Sequence, residues 1–223
     1  MVLDRVNCFL LPWKEEDQMR TSIWLASILL GISAVAAGQS WHFDKEAPGK
    51  IAAAWTNASG TWKVVADPTA PSQPNVLAQV SSNHSGSYFN VAVANEPSLK
   101  DVTISVRSRA VAGREDQGGG PVWRYRDLKN YYIARQNNLE DNYRVYKVVD
   151  GRRIQLGSAD VTAKTGTWHE IKVTMAGDHV QCFFDGKKYL DVNDGTFNAA
   201  GKVGLWTKSD AQTHFDDLRV TGK

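Results

Sequence analysis

The sequence predicts an all-β fold, a two-sheet antiparallel jelly-roll sandwich, on three observations. From Trp41 onward no long segment keeps a helical period. Short runs rich in Val, Ile, Tyr, Phe, Trp and Thr recur instead, separated by Gly, Asp, Asn and Pro. Two Asp-Gly pairs, Asp150–Gly151 and Asp185–Gly186, sit between such runs. Asp-Gly accepts the two positive φ values of a type I′ turn, the turn that joins neighbouring antiparallel strands. Roughly a dozen strands result, at the spacing of a single sandwich domain.

The elements follow in order. Residues 1–18 contain the acidic run Glu15, Glu16 and Asp17, where an export leader should be basic. They are expected to be a mis-assigned start or an N-terminal extension. Residues 19–38 begin with Met19 and Arg20, run through apolar residues from Ile23, and exit through Ala34, Ala36, Ala37 and Gly38. That is the layout of a signal peptide, with an apolar run short for a membrane span. Residues 39–223 are then one exported domain, secreted or periplasmic, with no membrane attachment after cleavage. Its one cysteine, Cys182, cannot form an internal disulfide, so the core must supply the stability.

Within this domain "GTWKVVAD" opens the strands, and "DPTAPSQPN" (67–75) is a surface loop. "DVTISVRSRAV" alternates Val102, Ile104 and Val106 with Thr103, Ser105 and Arg107. "PVWRYR", "NYYIARQN" and "YRVYKVV" follow, and Asp150–Gly151 turns the last into "RRIQLGSA". "WHEIKVTMAG" precedes the hairpin "HVQCFFDGKKYLDV", and "GKVGLWTKS" and "THFDDLRV" end the chain. Apolar spacing in the last segment breaks at Asp216–Asp217, which predicts a β-bulge. The chain carries 26 Lys+Arg against 24 Asp+Glu, a formal charge of +2, too balanced to imply a nucleic-acid partner.

Five stretches carry a family resemblance: "DQGGGPVWR", "NYYIARQNNLEDNYRVYKVVDGRR", "TWHEIKV", "FFDGKKYLDVND" and "GKVGLWTKSDAQTHFDDLRV". In these the chain is similar to the concanavalin A-like jelly rolls, which include laminin G-like modules and family 16 glycoside hydrolases. It resembles most the small secreted bacterial domains grouped with 3-keto-disaccharide hydrolases. The resemblance implies a carbohydrate-directed protein, either a hydrolase or lyase acting on a 3-keto-glycoside, or a non-catalytic glycan-binding or surface-adhesion module. The Glu-x-Asp-x-x-Glu strand of family 16 is absent from the sequence. A retaining mechanism of that type, which needs carboxyls about 5–5.5 Å apart, is therefore not expected.

The candidate residues follow from what a saccharide demands. Sugar hydroxyls need planar arrays of donors and acceptors, and the apolar face of a pyranose suits an aromatic ring. Tyr131, Ile133, Arg135 and Asn137 share one strand face by alternation. Arg124, Arg135, Asn137 and Asn142 are candidate ligand contacts, with Trp206 as a stacking ring, exposed or buried, and Lys208 beside it. Glu140, Asp116, Asp210 and His84 are candidate bases. The glycines of "GREDQGGGP" lack the Lys-Ser/Thr of a phosphate loop and are expected to let strands approach closely. The resemblance also implies a structural Ca²⁺ joining the first and last strands. Its oxygen ligands would come from Asp216, Asp217 and Asp44.

Overall fold

The computed structural model describes residues 38–223; residues 1–18 and the expected leader up to residue 37 lie outside them. The described residues form fifteen strands and no helix. The first sheet runs β13 (Lys187–Asn193), β12 (His179–Phe184), β11 (His169–Ala176), β6 (Val102–Ala112), β15 (Gln212–Gly222), β4 (Asn75–Gln79) and β3 (Trp62–Ala66). Here β1 (Gln39–Trp41) pairs with the end of β15. The second sheet runs β10 (Arg152–Asp160), β9 (Asn142–Val149), β8 (Asn130–Asn137), β7 (Gly118–Asp127), β14 (Gly201–Lys208), β5 (Phe89–Leu99) and β2 (Trp55–Ser59). Every pairing is antiparallel, as the alternation predicts.

Alternation puts one face of each strand between the sheets. From the first sheet come Ile104, Val106, Val173, Cys182, Phe215 and Leu218, all buried. From the second come Trp123, Tyr132, Ala134, Tyr143, Val145 and Leu205. Trp123 stacks on Tyr132 with centroids 5.5 Å apart and donates from Nε1 to Met175 Sδ at 3.0 Å. Burial pushes the Cys182 thiol up to about 12, so it is an inert core residue.

Both Asp-Gly turns take two consecutive positive φ angles, 50° and 80° at Asp150–Gly151 and 46° and 80° at Asp185–Gly186. The bulge falls where the spacing broke, with a register shift between Asp216 and Arg219 and φ 47° at Asp217. The glycine run also serves close approach: a Cβ on Gly119 or Gly120 would strike the carbonyl oxygen of Trp206 or Ala134.

Candidate functional site

A second apolar cluster, Val91, Val93, Val122, Tyr131, Ile133, Val148 and Trp206, belongs entirely to the second sheet and is separate from the core. It marks the outer face of that sheet. Register extends the face: Tyr131, Ile133, Arg135 and Asn137 of β8 stand opposite Val148, Tyr146, Arg144 and Asn142 of β9. The two-residue turn then sets Arg153 of β10 opposite Val148.

The face is curled. Arg153 is on an edge strand and Phe89 on β5, five strands away. A flat sheet would separate their backbones by roughly 24 Å, more than the two side chains together can span. The Arg153 guanidinium carbon is instead 5.7 Å from the Phe89 ring centroid, 5.7 Å from Trp206 and 4.5 Å from Tyr146. The result is a concave surface with an aromatic floor.

Arg135 is at the centre of the polar half, and its side chain is 1% exposed. Its Nη1 donates to Asp116 Oδ2 at 3.1 Å, and its Nη2 donates to Glu140 Oε2 at 3.0 Å and Asn142 Oδ1 at 3.2 Å. Asn137 Nδ2 donates to the other Asp116 oxygen at 3.1 Å, and Lys208 Nζ is 3.4 Å from Asp116 Oδ2. Arg144 reaches Glu140 Oε2 at 2.9 Å. Burial pushes the Asp116 carboxyl above its ordinary range, with Arg135 and Lys208 pulling against that rise. Partial burial also acts to raise Glu140, but Asn142, Arg135 and Arg144 outweigh it and hold the carboxyl below its ordinary range. Among the described residues every hydrogen bond to the Glu140 carboxylate goes to Oε2. Its side chain is 41% exposed, which leaves Oε1 as the accessible carboxylate oxygen.

Six of the expected residues therefore meet: Asp116, Arg135, Asn137, Glu140, Asn142 and Lys208. Trp206 adjoins them on the same face but is fully buried against Phe89, so it is no exposed platform. The others are placed elsewhere. Arg124 takes φ 46° in a register irregularity of β7, which turns its side chain off the ligand face. It donates to the carbonyls of Lys100, Phe197 and Gly177 at 2.7, 2.5 and 2.7 Å, closing one end of the sandwich. Asp210 lies beyond β14, past a turn with φ 53° at Ser209. Its carboxylate accepts the backbone N–H groups of Arg114, Glu115 and Asp116, so it fastens the loop rather than facing a ligand. His84 stacks on Tyr88 at 3.8 Å and its Nδ1 is 2.9 Å from Asn90 Oδ1, at the rim.

The expected calcium ligands lie on or beside the first sheet. Asp216 accepts from Ser72 N and Oγ and from Asp217 N, and Asp217 is 2.6 Å from His42 Nδ1. Asp44 Oδ1 accepts from Asn75 N. Among the described residues no three His, Cys, Asp or Glu side chains converge as a metal site.

Arg153, Tyr131 and Tyr146 were not among the expected ligand contacts. The Asp150–Gly151 turn carried the signal for Arg153: a two-residue loop fixes register, so Arg153 had to share a face with Val148. Lys147, by contrast, points to the other side and reaches Asp194 at 2.7 Å.

A scan against family models matches residues 42–221 to the 3-keto-alpha-glucoside-1,2-lyase-like domain, and the chain belongs to that family. Among solved structures it is similar to the carbohydrate-binding module CBM66 of Bacillus subtilis. That pair is 19% identical with a TM-score of 0.62, over 74% of this chain and 94% of that one. It is similar to the cellulose-induced protein Cip1 at 14% identity and a TM-score of 0.57, covering 83% and 97% of the two chains. A putative glycosyl hydrolase of Parabacteroides distasonis matches at 11% identity and a TM-score of 0.53, covering 78% and 91%. At these identities the likeness is one of fold. No curated protein matches the chain.

Proposed function

We propose that the concave face of the second sheet binds a glycoside and that the domain, exported from a bacterial cell, eliminates the aglycone when C3 of the sugar is a ketone. One observation carries this reading: a buried Arg135 ties two carboxylates, two amides and, through Asp116, a lysine into one cluster beside an aromatic floor. Family membership supports the choice of reaction.

A ketone at C3 acidifies the hydrogen on C2. Glu140 Oε1, the open oxygen of an ionised carboxylate, is the base that accepts this proton. The C–H electron pair moves into the C2–C3 bond and the negative charge to the C3 oxygen. Arg135 and Lys208, both anchored by Asp116, supply the positive field that stabilises this enolate. The enolate then collapses to a C1–C2 double bond as C1–O breaks. The departing oxygen takes a proton from Glu140 or water, so the products are an enone sugar and a free alcohol.

The test is turnover of p-nitrophenyl 3-keto-glucoside, followed as released nitrophenol and as enone absorbance. Deuterium at C2 should slow the reaction, and Glu140→Gln should lower the rate by about 10²–10⁴ over a buffer control. Saturable binding without turnover would instead identify a binding module, and no binding at all would refute both.

A further inference from the structure

The cluster leaves positive charge over. Four cations share this face, Arg135, Arg144, Arg153 and Lys208, against two cluster carboxylates, Asp116 and Glu140, and one exposed carboxylate on the edge strand, Asp160 opposite Asn142. Both cluster carboxylates are already engaged, Asp116 by Arg135, Asn137 and Lys208, and Glu140 by Arg135, Arg144 and Asn142. Arg153 makes no ion pair with the described residues, and its Nη1 is buried without a hydrogen-bond partner. Arg135 Nε is likewise buried and unpartnered, although both Nη atoms of that guanidinium are used.

A guanidinium held against aromatic rings gains some cation–π attraction, but that does not satisfy its N–H groups. Burial pushes Arg153 below its ordinary range and the Arg135 charge adds to this, while Tyr146, Asp116 and Glu140 pull the other way, so the like charge is only partly offset by carboxylates that already have other partners. Other donors point the same way. Tyr131 Oη and Trp206 Nε1 lie close together without reaching hydrogen-bond geometry, as do Tyr146 Oη and Arg144. Unpartnered N–H and O–H groups on a concave wall with surplus cations define a place for an anion's oxygens.

We propose that Arg153, on the same face as Arg135, receives an anionic oxygen substituent of the bound sugar, a carboxylate or a sulfate ester, so that the natural ligand is an acidic glycoside. This rests on the glycoside reading of the same face and adds the charge class of the ligand to it. Arg153 is the specificity-determining residue, because it has no carboxylate of its own to satisfy it.

Isothermal titration of the purified protein at low salt tests the assignment. The probes are methyl glucoside, methyl glucuronide and a 6-sulfated methyl glucoside. One of the acidic ligands should bind roughly ten-fold or more tighter than the neutral one, as expected for a charge-assisted hydrogen bond in a desolvated site. Which acidic probe wins distinguishes carboxylate from sulfate. Arg153→Gln should remove the preference, and Arg153→Lys should retain most of it. Equal affinity for acidic and neutral probes in the unaltered protein overturns the acidic-ligand proposal and leaves the glycoside reading standing. A preference that survives in Arg153→Gln overturns the role of Arg153. Failure of all three probes to bind refutes the glycoside reading as well.

Discussion

The two sheets share one construction rule and use their outer faces in opposite ways. On the first sheet the outward residues of β6 and β11, Thr103, Ser105, Arg107, Glu170 and Lys172, are partly exposed and undemanding. Two of its ion pairs lie in solvent, Lys188 with Asp191 and His179 with Asp191, each side chain 43–47% exposed, and a deeper group joins Asp67, 1% exposed, to Arg109 and His214, which keep 17% and 16% exposure. On the second sheet, Arg135 and Asp116 pair with side chains 1% and 0% exposed, beside unpartnered donors. Solvated pairs contribute little to stability, and buried ones are costly to build. Among the described residues, only on the second sheet are both members of a charged pair closed off from solvent.

The comparison can be broken by substitution. The largest effect is expected for Arg135→Ala, which strands the Asp116 carboxylate in the interior and should cost about 3–5 kcal/mol in urea unfolding. Adding Asp116→Asn should recover much of that loss, because the second change removes the uncompensated charge. An Arg135→Ala cost no larger than that of a surface pair would erase the distinction between the faces.

Next comes Arg124→Met, which keeps the bulk and leaves three carbonyls without their donor. It should cost about 3 kcal/mol and leave sugar affinity unchanged, separating structural from ligand-facing arginines. Somewhat smaller is an acid effect at Asp194. Partial burial opposes ionisation there, but Lys147, Thr196 and Tyr132 prevail and hold the carboxyl at about 2 against an ordinary 3.8. A depressed carboxyl stabilises the fold above the unfolded value and loses that contribution as pH falls toward the folded one. Asp194→Asn should therefore remove about 2 kcal/mol at neutral pH and flatten the decline between pH 4 and 2.

Glu140→Gln should change stability by less than about 1 kcal/mol while abolishing most turnover, since its side chain is 41% exposed. In the unaltered protein, the proposed turnover should persist down to below the ordinary carboxylate range, because Glu140 stays ionised there. The smallest effect belongs to Asp191→Asn on the first sheet, which should leave the unfolding midpoint where it was.

The sequence made local features legible. Asp-Gly turns, alternating strands and the bulge at Asp216–Asp217 each have a signature a few residues long. β2, β4 and β5 escaped notice because "WTNAS" and "NVLAQ" are short mixtures of small, polar and apolar residues and "FNVAVANEPSL" carries a proline. The cluster around Arg135 was readable because β8 and β9 are joined by a short turn, so alternation places its members together. Arg124 was misplaced because a positive φ at a non-glycine residue leaves no mark in composition. Asp210 was misplaced for a different reason: its partners at 114–116 are more than ninety residues away, and such pairings have no local sign.

That last contact also bears on when the protein becomes competent. Asp116 is positioned by Asp210, which grips its backbone N–H at 3.1 Å across 94 residues of chain. Long-range pairing of this kind makes β-sandwiches slow folders. During vectorial synthesis the Asp116 anchor of the guanidinium cluster can be set only once β14 and Asp210 have arrived. A chain interrupted before residue 210 would hold most of the second sheet's sequence yet lack the fastener that fixes Asp116. Binding competence is thus a late event, arriving with the C-terminal strands rather than with the segment that carries the site.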